Sequence, residues 1–234
     1  MKILHINFKL SNKWGYKIIN ACNKAHLKGL LSTPAPWKDE ALLHFCSRLD
    51  ALSLCIQRLN TDVQRLFKEI DTHSPDIIEE CVNEGRALVT TNNQLRVAFM
   101  VDIHSYLYEL DACIEFLTEH ILIPIYSEIF QWNKNRIKKY VTTKLQESNI
   151  NPKYIREVKD LRNHYTHSKS AHIALALEEK DIIILKSNIH DFSDPNEFFY
   201  LGSDLAKFNS SFWNSMKVIE NFIEHDIKNL DYGS

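Results

Sequence analysis

Glycine and proline are scarce, at 5 and 6 among 234 residues. A turn-rich all-β chain needs more of both, so the composition points to a mostly helical protein. Neither sign of charge prevails: 28 Lys and Arg against 30 Asp and Glu leave −2 at pH 7. That excludes a global basic field, and nucleic-acid contact would have to come from a local patch. No apolar run approaches the ~20 residues of a membrane span; the longest nearly apolar stretch is Ile121-Leu122-Ile123-Pro124-Ile125. The opening Met1-Lys2-Ile3-Leu4-His5 lacks the long apolar segment and cleavage site of a secretory signal. The 5 cysteines (Cys22, Cys46, Cys55, Cys81, Cys113) are odd in number, widely spaced and without a CxxC. They read as reduced, buried thiols of a cytoplasmic protein with no membrane partner.

Catalytic signatures are missing too. There is no GxGxxG, Walker A, GxSxG or HExxH. The 11 histidines do not combine with cysteines at zinc-ligand spacing. Glu40-x-x-x-His44 and Glu224-His225 do not make the ExxH pairs of a di-iron bundle. No metal and no cofactor is assigned.

What is present is helical periodicity. Leu42, Phe45, Leu49, Leu52, Ile56, Leu59, Val63, Leu66 and Ile70 alternate spacings of 3 and 4, a seam of one long helix with Asp39 as its N-cap. Such a seam serves a bundle core or a second subunit. Ser74-Pro75 ends that helix, and a short one follows from Asp76 to about Val89 with Ile77, Ile78, Cys81 and Val82 on one side. A second long helix runs from Leu95 to about Tyr126 with Phe99, Ile103, Tyr106, Leu110, Ile114, Leu117 and Ile121 on one face. Pro124 is expected to kink or end it.

Lys134, Arg136, Lys138, Lys139 and Lys144 then crowd one helical stretch, a solvated face or a phosphate-contacting patch. Asn151 caps a further helix with Pro152 in its first turn, and Tyr154, Val158, Leu161 and Tyr165 mark its apolar side to about His167. His172–Leu177 and Asp181–Lys186 flank the charged tip Glu178-Glu179-Lys180 and predict a β-hairpin. Ser203 is expected to cap a last helix carrying Leu205, Phe208, Phe212, Met216, Ile219, Phe222 and Ile223. Before the first long helix, Lys2–Leu10 suggests a short strand and Cys22–Leu31 one or two helical turns, closed by Ser32-Thr33-Pro34-Ala35-Pro36. The expected organisation is an N-terminal arm (1–36) packed on a helical domain (37–234), with the hairpin at about 172–187.

One string carries chemistry: Arg162-Asn163-His164-Tyr165-Thr166-His167. Of the arginines here, only Arg162 is followed by a histidine after such a gap. At ~100° per residue, Arg162 and His167 stand ~140° apart around a helix, whereas Asn163 and His167 share a stripe. A guanidinium holds phosphate bidentately and neutralises charge developing on it. An imidazole with an ordinary pKa near ~6.5 exchanges protons with a ribose hydroxyl or a leaving oxygen. The amide orients one or the other. If the RNA's own 2′-OH attacks, no metal is required, and the products are a 2′,3′-cyclic phosphate and a 5′-hydroxyl.

The string resembles the R-x(4–6)-H signature of the HEPN superfamily in its RNxxxH form. The likeness extends in outline over roughly residues 37–230: helical, with the motif near a helix end and a further helix after it. It implies a mainly α, HEPN-like up-and-down bundle with two long helices, the hairpin as an insert before the last helix and the arm as an addition. It also implies a homodimer whose two Arg/His sets face one cleft, and a metal-independent endoribonuclease acting on RNA such as tRNA or single-stranded regions. Toxin–antitoxin and antiviral-defence roles, with an antitoxin or sensor protein as partner, belong to the same family picture. Carried over by position, Arg162 binds phosphate, Asn163 orients and His167 is the acid/base, while Lys134, Arg136, Lys138, Lys139, His164 and Lys169 are candidate substrate contacts. Compact HEPN toxins often carry a Tyr two residues after the His; here that residue is Lys169. The alternatives are a non-catalytic HEPN protein that binds nucleic acid or nucleotides, and a helical interaction module using the Leu42–Ile70 seam.

Overall fold

The structure, a computed structural model, describes residues 11–37, 40–84, 93–167, 172–185, 194 and 197–230. It is mainly helical with a small three-stranded antiparallel sheet. Contacts divide the chain into two units. The first comprises Met1–Leu52, Asp111–Ile155 and Ser211–Ser234, the second Ser53–Leu110 and Arg156–Ser210.

In the first unit, Gly15 turns the chain with φ 89°, a conformation open to glycine, and helix α1 (Tyr16–Leu27) follows. This helix starts earlier and is longer than the turns expected at Cys22–Leu31. Ile18, Ala21, Cys22 and Ala25 are its buried residues, a periodicity obscured in the sequence by Lys17, Asn20 and Asn23. The Trp14 indole Nε1–H donates to the Met216 carbonyl at 2.9 Å, and the Gly15 N–H to Glu220 Oε1 at 2.8 Å. The strand expected at Lys2–Leu10 and the Asp39 cap lie outside the described residues.

Helix α2 (Ala41–Ile70) realises the long seam. Its early members Leu42, Phe45, Leu49 and Leu52 are buried, whereas Ile56, Val63 and Leu66 are only half-buried. Helix α3 (Pro75–Asn83) is capped by Ser74, which accepts from the Ile77 N–H, but it buries no residue; Ile77 and Val82 are exposed.

Helix α4 (Asn93–Phe116) carries the second long apolar face. Pro124 does not end it. A π-helical segment (Leu117–Leu122) intervenes, in which the Ile123 N–H donates to Thr118 O, and α5 (Ile123–Phe130) continues the path. Proline thus stands in the first turn of α5, where its missing N–H costs little. Gln131, left-handed at φ 53°, closes α5.

Asn133 accepts from the Arg136 N–H at 3.0 Å and opens α6 (Lys134–Glu147). Asn151 Oδ1 accepts from the Lys153 N–H at 3.1 Å and starts α7 (Lys153–His167), as its side-chain chemistry predicts.

The hairpin forms as expected, with β1 (His172–Ala176) antiparallel to β2 (Asp181–Leu185) and Ala176 opposite Asp181. A third strand, β3 (Phe198–Tyr200), adds to β2 with Ile183 opposite Tyr200. Ile182–Leu185 are all buried, so the continuous apolar run of β2 is covered on both faces. Helix α8 (Leu201–Lys228) begins before Ser203. Asp181, not Ser203, holds its start: Oδ1 accepts from the Gly202 N–H at 2.7 Å and Oδ2 from the Ser203 N–H at 3.2 Å. A Cβ on residue 202 would lie 2.8 Å from Asp181 Oδ1, so the carboxylate reaches the helix only because Gly202 has none.

Candidate active site

The motif occupies the last turns of α7. Tyr154, Val158, Leu161 and Tyr165 are buried, and this fixes the rotation of the helix. Arg162, Asn163 and His164 are then left half-buried beside that face. Arg162 Nη2 donates to Asn163 Oδ1 at 3.0 Å, while the guanidinium Nε is shut off from solvent. This hydrogen bond answers the ~140° offset between Arg162 and His167. It draws the guanidinium around the helix towards Asn163, and His167 lies one turn further along the Asn163 stripe. With Oδ1 taken by the arginine, the amide presents its Nδ2 donors to other groups. The side chain of His167 and all of Lys169 lie outside the described residues.

Two residues that sequence reasoning did not single out as functional belong to the site, Tyr165 within the string and His104 beside it. Tyr165, read only as core, is 4% exposed. Its hydroxyl is buried without a hydrogen bond among the described residues. Burial pushes its phenol well above the ordinary range, so it acts as a neutral hydroxyl. Its ring is bordered by His164 (centroids 5.3 Å apart, 87° between planes), by Phe199 (6.0 Å) and by His104 of α4 (6.0 Å). His104 is exposed and lies 58 positions before Arg162 in the chain. No local motif marks it, and only the folded contact with Tyr165 brings it to the site.

Two residues before His104, a buried acidic pair joins α2 to α4. Asp62 and Asp102 are 4% and 3% exposed. Burial, then the hydrogen bond and charge of Asp102, push the Asp62 carboxyl up, and Arg65 opposes this. A hydrogen bond between two carboxyl groups needs a proton on one of them. Arg58 Nη2 pairs with Asp102 Oδ1 at 2.6 Å, and Arg65 Nη1 with Asp62 Oδ1 at 3.4 Å. With that proton, the pair carries one negative charge between two guanidinium groups. Among the described residues, no three His, Cys, Asp or Glu side chains converge as metal ligands.

The basic run lies on α6, in the first unit, whereas the motif belongs to the second. Local contacts engage much of it. Lys134 Nζ pairs with Glu119 Oε1 at 2.6 Å, and the Arg136 guanidinium stacks 4.5 Å from the Trp132 ring centroid. Lys144 pairs with Glu147 at 2.9 Å. Lys138 and Lys139 are exposed.

The five cysteines are reduced thiols, and Cys22, Cys46 and Cys113 are buried. Burial pushes the Cys22 thiol up to about 12; burial first, then Asp50 and Glu220, pushes Cys46 up to about 11. Neither is a nucleophile at neutral pH.

Comparison of the chain with protein-family models, with curated proteins and with solved structures gives no match. Among the described residues, no helix is long and apolar enough to cross a membrane.

Proposed function

We propose that the chain is a metal-independent endoribonuclease of HEPN type, a cytoplasmic homodimer with its helices in the HEPN arrangement and Arg162, Asn163 and His167 in a composite site. The observation that carries this reading is the Arg162–Asn163 hydrogen bond of 3.0 Å, which turns the guanidinium towards the helix stripe that holds His167. In this reading Arg162 holds the scissile phosphate and neutralises its growing charge. His167 takes the 2′-OH proton or delivers one to the leaving 5′-oxygen. The partner subunit's copy, or the neighbouring His104 or His164, supplies the opposite proton step. Asn163 fixes the guanidinium and donates from Nδ2 to the substrate. Lys138, Lys139 and the other cations of α6 contribute salt-sensitive attraction for RNA. Control by an antitoxin or sensor protein, in a toxin or phage-defence setting, belongs to the same proposal.

The test is cleavage of total tRNA and of a mixed-sequence single-stranded RNA in excess EDTA. Arg162→Ala and His167→Ala are each expected to slow cutting by at least about a hundredfold, and the products to carry 2′,3′-cyclic phosphate ends. Cutting by Arg162→Ala protein at the wild-type rate sinks the site assignment. Salt-dependent RNA binding by a dimeric protein that never cuts would replace it with the binding reading.

A further inference from the structure

Helix α4 is apolar on two sides. Phe99, Ile103, Tyr106 and Leu110 belong to its expected face, and all four are buried. Val97, Val101, His104 and Tyr108 form a second stripe, ~160° away around the helix and within ~60° of one another. All four are exposed, Val97, Val101 and Tyr108 at 48%, 49% and 55%. A helix apolar all round is normally covered all round. The single chain leaves this stripe open to solvent.

The stripe is matched to its own copy. Its spacings are 4, 3 and 4, the alternation of a coiled-coil seam, and they read the same in reverse. Its two valines stand at one end and its two rings at the other. A second α4 laid antiparallel sets Val97 against the partner's Tyr108 and Val101 against the partner's His104, so each small side chain faces a ring. A parallel partner would set valine against valine and ring against ring, with a gap at one end and crowding at the other. An isologous pair repeats both good contacts about its two-fold axis. The stripe carries no carboxylate, ammonium or guanidinium, and interface centres are depleted of such groups. Beside it, Ala98 and Ser105 are small, and the Ser105 hydroxyl already donates to the Val101 carbonyl at 2.8 Å. That hydroxyl keeps its hydrogen bond when a second helix comes close.

We propose that the face of α4 formed by Val97, Val101, His104 and Tyr108 docks a second copy of this chain, with the two helices antiparallel. The proposal rests on the homodimer of the ribonuclease reading and names its face, but it does not rest on cleavage. The two-fold axis then passes level with Asp102 and Ile103, and the two His104 stand ~4.5 Å apart along the helix axes. Each His104 borders Tyr165 of its own motif helix at 6.0 Å, so the partner's Val101 walls the candidate site on the His104 side.

The experiment is sedimentation velocity of the full chain from about 1 to 100 µM. Wild type is expected to be dimeric at the upper end. Val101→Glu and Tyr108→Glu each bury a lone charge in the pairing and are expected to weaken it at least about tenfold. Val82→Glu, at an exposed position of α3, is expected to leave it unchanged. A mixture of Val97→Cys and Tyr108→Cys proteins is expected to cross-link on oxidation, and neither variant alone to do so beyond wild type. Each substitution replaces an exposed side chain, so the monomer is expected to melt as wild type does. A wild type that stays monomeric throughout overturns the proposal. So does a dimer that Val101→Glu leaves intact, and so does cross-linking of one cysteine variant alone in place of the mixture. The tRNA assay separates the two readings. A dimer broken by Val101→Glu that cuts no RNA keeps this face and removes the ribonuclease. RNA cut by a monomer, or by a dimer indifferent to Val101→Glu, does the reverse.

Discussion

The buried phenols of the two units differ in their partners. In the first, the phenols of Tyr126, Tyr140 and Tyr154 and the indole of Trp14 find partners. Tyr126 and Tyr140 both donate to Asp226 Oδ2, at 2.6 and 2.8 Å. Tyr154 donates to Ser215 Oγ at 2.9 Å, and Ser215 to the Ser211 carbonyl at 2.7 Å. Around Tyr126, the rings of Trp132, Tyr140 and Phe222 lie within 6.4 Å. In the second unit, Tyr165 and Asn209 each keep a buried polar atom without a hydrogen bond among the described residues. Satisfied networks specify a rigid core, whereas retained unsatisfied groups mark places where something other than stability was kept. The motif and His104 both fall in that second unit.

The contrast breaks most visibly at Asp226. Asp226→Ala strips the buried phenol of Tyr126 and the half-buried one of Tyr140 of their acceptor, and urea denaturation should show a loss of about 3 kcal/mol. A loss within error would mean that the first unit is no better satisfied than the second. A matched pair of deletions sharpens the point. Tyr126→Phe removes a hydroxyl bonded to a carboxylate and should cost about 1.5–3 kcal/mol. Tyr165→Phe removes one that is bonded to nothing described, so its melting temperature should equal or exceed that of wild type. Equal losses in the two variants would erase the distinction.

The smallest effect concerns Asp62. Its carboxyl sits above its ordinary value near 3.8, so the folded chain holds a proton that the unfolded chain releases. That stabilisation is complete below the ordinary value and drains away as pH rises through the folded one. Asp62→Asn keeps a donor for Asp102 without the titration. It should flatten this part of the stability profile and raise the melting temperature slightly at pH 7. An unchanged profile would place the proton elsewhere.

The residues whose spacing alone dictates structure were legible. A seam repeating every 3.5 residues has one geometric solution, and α2 adopts it. Asn151 declared its helix start, and the two apolar runs around Glu178–Lys180 declared their pairing. Other features depend on contacts between distant segments. Strand β3 is three residues long, too short for periodicity to register, and forms only because β2 offers an edge. The start of α8 was misplaced because its cap comes from Asp181, 21 positions from Gly202. The π-helical turn before Pro124 leaves no pattern at the level of residue types. At the site, Arg162 and Asn163 were legible as neighbours with complementary chemistry. His104 was not, since an isolated histidine on a helix declares nothing until Tyr165 packs beside it.

The division of the chain has a consequence for its synthesis. The first unit draws on three separate stretches and the second on two, so neither can be cut out as one continuous fragment. During translation the second unit has all its residues once Ser210 has left the ribosome. The first must wait for Ser211–Ser234, which brings Phe212, Met216, Ile219 and Ile223 to its core. Until then Trp14, made long before, has no Met216 carbonyl to meet. A nascent chain stalled near residue 210 should therefore leave apolar surface around Trp14 exposed, and be a target for chaperones that hold hydrophobic surface.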